Sequence, residues 1–358
     1  MRRDMNLLEL RNITKKFTAA QLPAVNDFNL DVKKGEIVAL LGESGCGKTT
    51  ILRMIAGFEV PTAGTIKINS ETVSGQGIFI EPQNRRVGIV FQDYALFPHK
   101  TVWENINFGL FRISRPEANK KITEIIKLTG LQGLEKRYPH QLSGGQKQRV
   151  ALARAMAPEP ELILFDEPFS NIDSMRKQQM REEIKNIIKE TCATAIFVTH
   201  DTRDVMSIAD KVTVIKHGKL IQTGNPESIY NFPVNTYVAD FFGKTNYIKA
   251  KVFPEGYKTP MGFIQTKSQL PAGSKDVLLS IRPEEFTITN EKNDGFCGNI
   301  VKERFMGEYK ELTCIVENPS GKEIEIIIYT NPNTHCSDEK CYFKPNEGKI
   351  NILLKEND

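Results

Sequence analysis

The sequence predicts an α/β fold on a parallel sheet, with a helical insertion and a β-rich region behind it. Three observations carry this. Over the first two thirds of the chain, short apolar runs alternate with helical patterns, the mark of strand–helix–strand crossovers. A glycine-rich loop, Gly42-Glu43-Ser44-Gly45-Cys46-Gly47-Lys48-Thr49, joins the first strong apolar run to a helical one. Beyond about residue 241 the helical period is lost, and glycine and proline break up short β-type runs.

Taken in order, Glu36–Leu41 is a buried-strand run, and Thr49–Ala56 is helical and closed by Gly57. From Arg115 to Gly130 the period changes: Ile122, Ile125, Ile126 and Thr129 share a helical face. A second helix runs from about Gln146 to Ala157 and stops before Pro158. Residues 93–157 therefore read as a helical insertion between two halves of the α/β core. The sheet resumes with strands at Leu162–Phe165, Thr194–Thr199 and Val212–Ile215, a helix at Asp173–Lys189 and a hairpin turn at His217–Gly218. Around Asn231–Tyr247 this pattern ends. The runs Val277–Ile281, Phe286–Thr289, Leu312–Val316, Glu323–Tyr329 and Ile350–Leu354 then suggest a small β-barrel or sandwich. The expected division is 7–240 for the α/β region and 241–358 for the tail.

Composition limits the function classes. Of 358 residues, 40% are hydrophobic and 26% charged, an ordinary globular balance. The formal charge of +4 is too small to argue for nucleic acid. The start, with charges but no apolar segment behind them, does not read as a signal peptide. No run approaches the ~18 apolar residues of a membrane span; Ile37–Leu41 and Ile324–Tyr329 read as strands. A cytoplasmic protein is expected, with any membrane role exerted through partners. The six cysteines (Cys46, Cys192, Cys297, Cys314, Cys336 and Cys341) form no regular framework and are expected reduced.

The Gly42–Thr49 segment matches G-x-x-x-x-G-K-[ST] in the strand–helix context that motif needs. Its glycines let successive backbone N–H groups face phosphate oxygens, and the helix N-terminus adds partial positive charge. Lys48 can reach the β- and γ-phosphates, and the Thr49 hydroxyl can ligate Mg²⁺. Leu162–Phe165 then delivers Asp166 to a strand end, where it can hold Mg²⁺ through water, followed by Glu167, placed to orient and deprotonate water. Leu142-Ser143-Gly144-Gly145-Gln146 places a serine and two glycines at a helix start, a second phosphate-binding terminus. One nucleotide needs one such cradle, so the second points to the ATP of a partner protomer. Gln92 can touch Mg²⁺ or the attacking water, and His200, ending the strand Ile196–Thr199, can contact the γ-phosphate.

In this order the five segments resemble those of ABC ATP-binding subunits, over about residues 7–243. The resemblance implies a P-loop NTPase cassette whose cofactors are ATP and Mg²⁺. Gly42 to Thr49, with Thr50, would contact nucleotide, together with Gln92 and Ser143, Gly144, Gly145 and Gln146. Lys48, Glu167 and His200 would be catalytic; Thr49, Gln92 and Asp166 would hold Mg²⁺. Phe17 would stack on adenine, and Asp173, in Ser170-Asn171-Ile172-Asp173, would cross a head-to-tail homodimer interface. Ile172 stands where the family usually has leucine.

Phe91–His99 followed by Thr101–Asn105 is similar to bacterial importer ATPases, most of all the ferric-iron and spermidine/putrescine members. So are Gly224–Tyr230, Tyr237–Phe241 and, more briefly, Ser280–Glu285, which resembles part of an appended barrel of oligonucleotide-binding type. This implies membrane permeases as direct partners, an external solute-binding protein as an indirect one, a place on the cytoplasmic face of the inner membrane and a tail that pairs or regulates protomers. Tyr94, Leu96 and Phe97 could line a cleft for a permease helix, or pack in the core. A cytosolic ABC ATPase of DNA repair or translation is the alternative, although neither a long coiled coil nor a second cassette is seen. Cys46 could be redox-sensitive, and His335, Cys336 and Cys341 could supply three ligands of a metal site or simply belong to a polar loop.

Overall fold

The computed structural model describes residues 5–353 except 19, 171, 266–275, 290–294, 318–322 and 335–339. The chain divides into two compact units, Met1–Pro226 and Glu227–Asp358.

The first unit opens with strands β1 (Asn6–Lys15), β2 (Val25–Lys33) and β3 (Ile37–Leu41), then helix α1 (Lys48–Ala56). Gly57 ends α1 with φ +86°, its N–H reaching the carbonyls of Arg53 and Met54. β4 (Ala63–Ile68), β5 (Glu71–Gly75), β6 (Ile78–Phe79) and β7 (Val87–Val90) follow. The insertion is helical as expected: α2 (Val102–Asn107), α3 (Arg115–Leu128) and α4 (Gly144–Met156). Then come β8 (Leu162–Asp166), α5 (Ser174–Glu190), β9 (Thr194–Thr199), α6 (Thr202–Ile208), β10 (Lys211–Lys216) and β11 (Lys219–Gly224).

Six strands form a sheet in the order β11-β10-β3-β9-β8-β7, parallel except for the edge strand β11. Every residue of β3 and β9 is buried, so these strands read as continuous apolar runs. Alternate residues feed different cores. Ile37, Ile163, Phe165, Ala195 and Phe197 join the core shared with the helical insertion. Val38, Leu40, Leu164, Ile196 and Val198 join the one containing Ile51, Leu52 and Ile55 of α1. That second core is covered by a five-stranded antiparallel sheet, β2-β1-β4-β5-β6, which the sequence reading did not separate. Its signal was present: β2 alternates buried and exposed positions along most of its length.

The second unit begins about fourteen residues before the expected boundary. Here α7 (Pro226–Asn231) and α8 (Thr236–Phe241) precede the β-strands. The reason is Arg282, which donates to the carbonyls of Ala239, Gly243 and Lys244 and to Thr245 Oγ1, and lies over the Tyr230 ring. The strands are β12 (Asn246–Phe253), β13 (Gly256–Thr259), β14 (Gly262–Gln265), β15 (Asp276–Ile281) and β16 (Phe286–Thr289), then β17 (Phe296–Phe305), β18 (Lys310–Glu317), β19 (Glu323–Thr330), β20 (Lys340–Pro345) and β21 (Asn351–Leu353). They form two antiparallel sheets, β14-β13-β12-β15-β21 and β16-β20-β17-β18-β19, over one apolar core. The expected barrel does not close among the described residues. The two sheets are joined by a side chain: the Asn246 amide of β12 donates to Ile327 O of β19 and accepts from Ile327 N, both at 2.8 Å. No helix among the described residues is long and apolar enough to cross a membrane.

Candidate active site

The parallel register brings the expected residues to one edge of the sheet. Leu41 pairs with Thr199, Asp166 with Val198, and Val90 with Phe165. Gly42, His200, Glu167 and Phe91 therefore emerge side by side at the C-terminal strand ends, and Gln92 follows directly. This is where open α/β sheets place ligands.

The glycine loop wraps its own lysine. Lys48 is 4% exposed, and its Nζ donates to Gly42 O and Glu43 O, each at 2.8 Å. Gly47 has φ +107°, and a Cβ there would lie 2.4 Å from Ala24 O. At Gly42 a Cβ would lie 2.5 Å from Ile215 O. Both positions exclude side chains for reasons of backbone packing, which fixes the loop before any ligand arrives. Ala24 ends the β1–β2 loop that carries Phe17. That ring is 40% exposed, with Lys15 Nζ 5.0 Å from its centre.

Thr49 Oγ1 donates to Asp166 Oδ1 at 3.1 Å. Burial raises the Asp166 carboxyl above its ordinary range, against the bond from Thr49. A hydroxyl and a half-buried carboxylate at a phosphate loop are hard oxygen donors in a site where a divalent cation relieves the cost of burial, so these residues fit Mg²⁺ completed by phosphate and water. Glu167 adopts φ +46°, a left-handed conformation costing a non-glycine residue of order 1–3 kcal/mol. It is held there by its N–H to Val198 O, at 3.0 Å, and by Ser170, whose N–H and hydroxyl both donate to Glu167 O. In this pose Glu167 Oε1 lies 3.3 Å from His200 Nδ1.

Ser143, Gln146 and Asp173 bond their own helix starts instead. Ser143 Oγ accepts from Gln146 N at 3.3 Å, and Gln146 Oε1 accepts from Ser143 N at 2.9 Å, closing a capping box on α4. Asp173 caps α5 through Arg176 N at 3.0 Å. Ser143 and Gly144 are exposed, presenting the start of α4 to solvent.

Of the cleft cluster, only Phe97 lines a groove. Tyr94 is in the core and Leu96 packs against it, so core packing holds for Leu96 but not for Phe97, where residue type favours burial of phenylalanine over tyrosine. The groove encloses about 1010 Å³, with Phe91, Ala95, Phe97, Phe108 and Phe111 in its wall. Two arginines escaped the sequence reading. Arg154 Nη1 and Nη2 hold the carbonyls of Ala95 and Tyr94, fixing the turn after Gln92. Arg85, 2% exposed, donates to Met54 O and Ile55 O at the end of α1. Desolvation lowers its pKa to about 10. Neither leaves a local signal, because the carbonyls of Tyr94 and Ala95 for Arg154, and of Met54 and Ile55 for Arg85, are distant in sequence.

Cys46 is buried, and burial pushes its thiol pKa up despite nearby Lys48, the opposite of a redox-sensitive cysteine. Cys341 is 1% exposed in the core of the second unit, while His335 and Cys336 lie outside the described residues. Among the described residues no cluster of three or more His, Cys, Asp or Glu could hold a metal.

The family model for ABC transporters matches residues 25–170. The chain is 38% identical over 311 residues to the Fe(3+) ions import ATP-binding protein FbpC 1 of Pectobacterium atrosepticum, covering 86% of this chain and 87% of that protein. It is 39% identical over 311 residues to the spermidine/putrescine import ATP-binding protein PotA of Mesorhizobium japonicum, covering 83% and 84%. Among solved structures it is similar to cbiO1 of Clostridium perfringens, part of an ABC transporter complex, with a TM-score of 0.58 and 30% identity over 63% of this chain and 90% of that one. A dimeric post-hydrolysis cassette bound to ADP and Pi matches with a TM-score of 0.54 and 31% identity, over 61% and 98%. With its glycine loop, acidic strand end and strand-end histidine on one sheet edge, this chain belongs to the ATP-binding subunits of ABC transporters and is an ATPase of that family.

Proposed function

We propose that two copies of this chain, head to tail, hydrolyse two ATP molecules between them and so drive import of ferric iron or a polyamine through membrane permeases. The observation that carries the shared site is the pair of separate phosphate cradles: the Gly42–Thr50 loop on the sheet edge and the exposed capped start of α4. Lys48 and the loop N–H groups bind the phosphates of ATP. Ser143, Gly144, Gly145 and Gln146 of the partner copy bind the same γ-phosphate from the other side. Phe17 stacks on adenine, and Asp173 meets the partner. Thr49, Asp166 and Gln92 hold Mg²⁺, which when bound neutralises phosphate charge. Glu167 takes the proton of the attacking water, and His200, 3.3 Å from it, orients that carboxylate and reaches the γ-phosphate. Product release reopens the dimer.

The aromatic groove next to Gln92 receives a helix of the permease, so that nucleotide state at the sheet edge is felt by the membrane subunit. This places the chain on the cytoplasmic face of the inner membrane, with a solute-binding protein outside as an indirect partner. The tail regulates or pairs protomers. The names of the relatives support the cargo classes. Native purification of a tagged chain from gently solubilised membranes tests the whole reading: a polytopic permease should copurify, and recovery of ribosomes or repair proteins instead would remove transport while leaving the ATPase.

A further inference from the structure

We propose that the buried pair Arg181–Asp204 is a positioning device for His200, linking the helix that begins after Asp173 to the His200–Glu167 contact. Its role rests on the assignment of Glu167 and His200 made above. Arg181 on α5 is 4% exposed and Asp204 on α6 is 6% exposed. Arg181 Nε and Nη2 reach Asp204 Oδ1 at 2.7 and 2.6 Å, and Nη2 reaches Asp201 Oδ2 at 3.1 Å. Burying such charges is expensive, and the first unit could have filled this space with apolar side chains.

What the charges touch explains their presence. Asp204 Oδ2 accepts the Thr199 hydroxyl at 2.6 Å, and the same hydroxyl oxygen accepts from Asp201 N at 3.0 Å. Thr199 and Asp201 are the residues on either side of His200. The His200 side chain is 56% exposed and meets Glu167, so packing does little to hold the ring. Its place is set by its two neighbours, and one buried cluster fixes both. On the Glu167 side, the guanidinium lies 5.9 Å from the ring of Phe169, two residues beyond Glu167. That ring and Phe165 both stack against Phe197, which rigidifies the strand ends. A single guanidinium therefore spans the flanks of the His200–Glu167 pair. Movement of α5, whose N-cap is Asp173, is passed through this cluster to His200.

The test is a steady-state ATPase cycle on the full chain, with nucleotide affinity measured separately. Asp204→Asn should lower kcat by about tenfold or more, with ATP Kd changed less than about twofold, because misplacement costs rate and not ground-state binding. Thr199→Val, which removes only the hydroxyl, should do the same if Asp204→Asn does not fold. In a His200→Ala background either substitution should cost less than about twofold further, since a device that positions His200 has nothing left to position. Full, additive losses in that background would overturn the proposal, as would wild-type kcat in both single variants. His200→Ala alone at the wild-type rate would instead overturn the assignment of His200 on which the proposal rests.

Discussion

Arg181 in the first compact unit and Arg282 in the second are both nearly buried, yet their surroundings differ in kind. Arg181 faces two carboxylates, and its network runs outward through Thr199 and Asp201 to an exposed histidine at the sheet edge. Arg282 faces backbone carbonyls at the end of α8, the Thr245 hydroxyl and the face of Tyr230, whose own hydroxyl meets Glu284. The first arrangement ends on groups proposed to do chemistry. The second closes on the chain itself and ties two helices to a β-sheet. Burial of a cation alone therefore says nothing about function; where its hydrogen bonds lead does.

That contrast can be broken or sharpened. The largest effect is expected from Lys48→Ala, which removes the cation inside the phosphate loop. MgATP affinity should fall by more than about a hundredfold in a fluorescent-nucleotide titration, with little change in Tm. Ser143→Arg should leave nucleotide affinity of the monomer within about twofold but abolish hydrolysis; retained turnover would place the whole site within one chain. Arg282→Met should destabilise the second unit by about 2–4 kcal/mol in denaturant unfolding, leaving ATP affinity unchanged. A parallel loss of affinity would make Arg282 part of the site and erase the contrast. The smallest effect concerns thiols. Burial raises the Cys46 pKa, so at neutral pH less of it is thiolate than in an ordinary thiol. Alkylation of Cys46 should lag behind that of exposed Cys192, and the gap should narrow as pH rises toward the Cys46 pKa. Equal rates at pH 7 would contradict the buried loop.

The two units also differ in how far the sequence disclosed them. At the sheet edge, phosphate chemistry restricts residue type and spacing so strongly that Lys48, Asp166, Glu167 and His200 could be proposed as site residues before the register that gathers the strand ends was known. The strands beneath them were legible because β3 and β9, buried on both faces, must be apolar throughout. The buried pair Arg181–Asp204 was not legible: its members are 23 residues apart on two helices, and neither helix pattern requires a charge there. In the tail, alternation identified strands but not their partners. The bridge from Asn246 to Ile327 joins the two sheets across 81 residues of sequence, through a side chain that no strand pattern singles out. Periodicity reports which face is buried, not which strand lies alongside.

The most direct test of the account is sedimentation of Glu167→Gln with MgATP. If Glu167 removes the proton from water at a site shared by two copies, this variant should bind ATP as the wild type does, turn over at less than about one hundredth of its rate and sediment as a dimer only when ATP is present. A monomer that hydrolyses ATP at the wild-type rate would contradict both the role of Glu167 and the shared site.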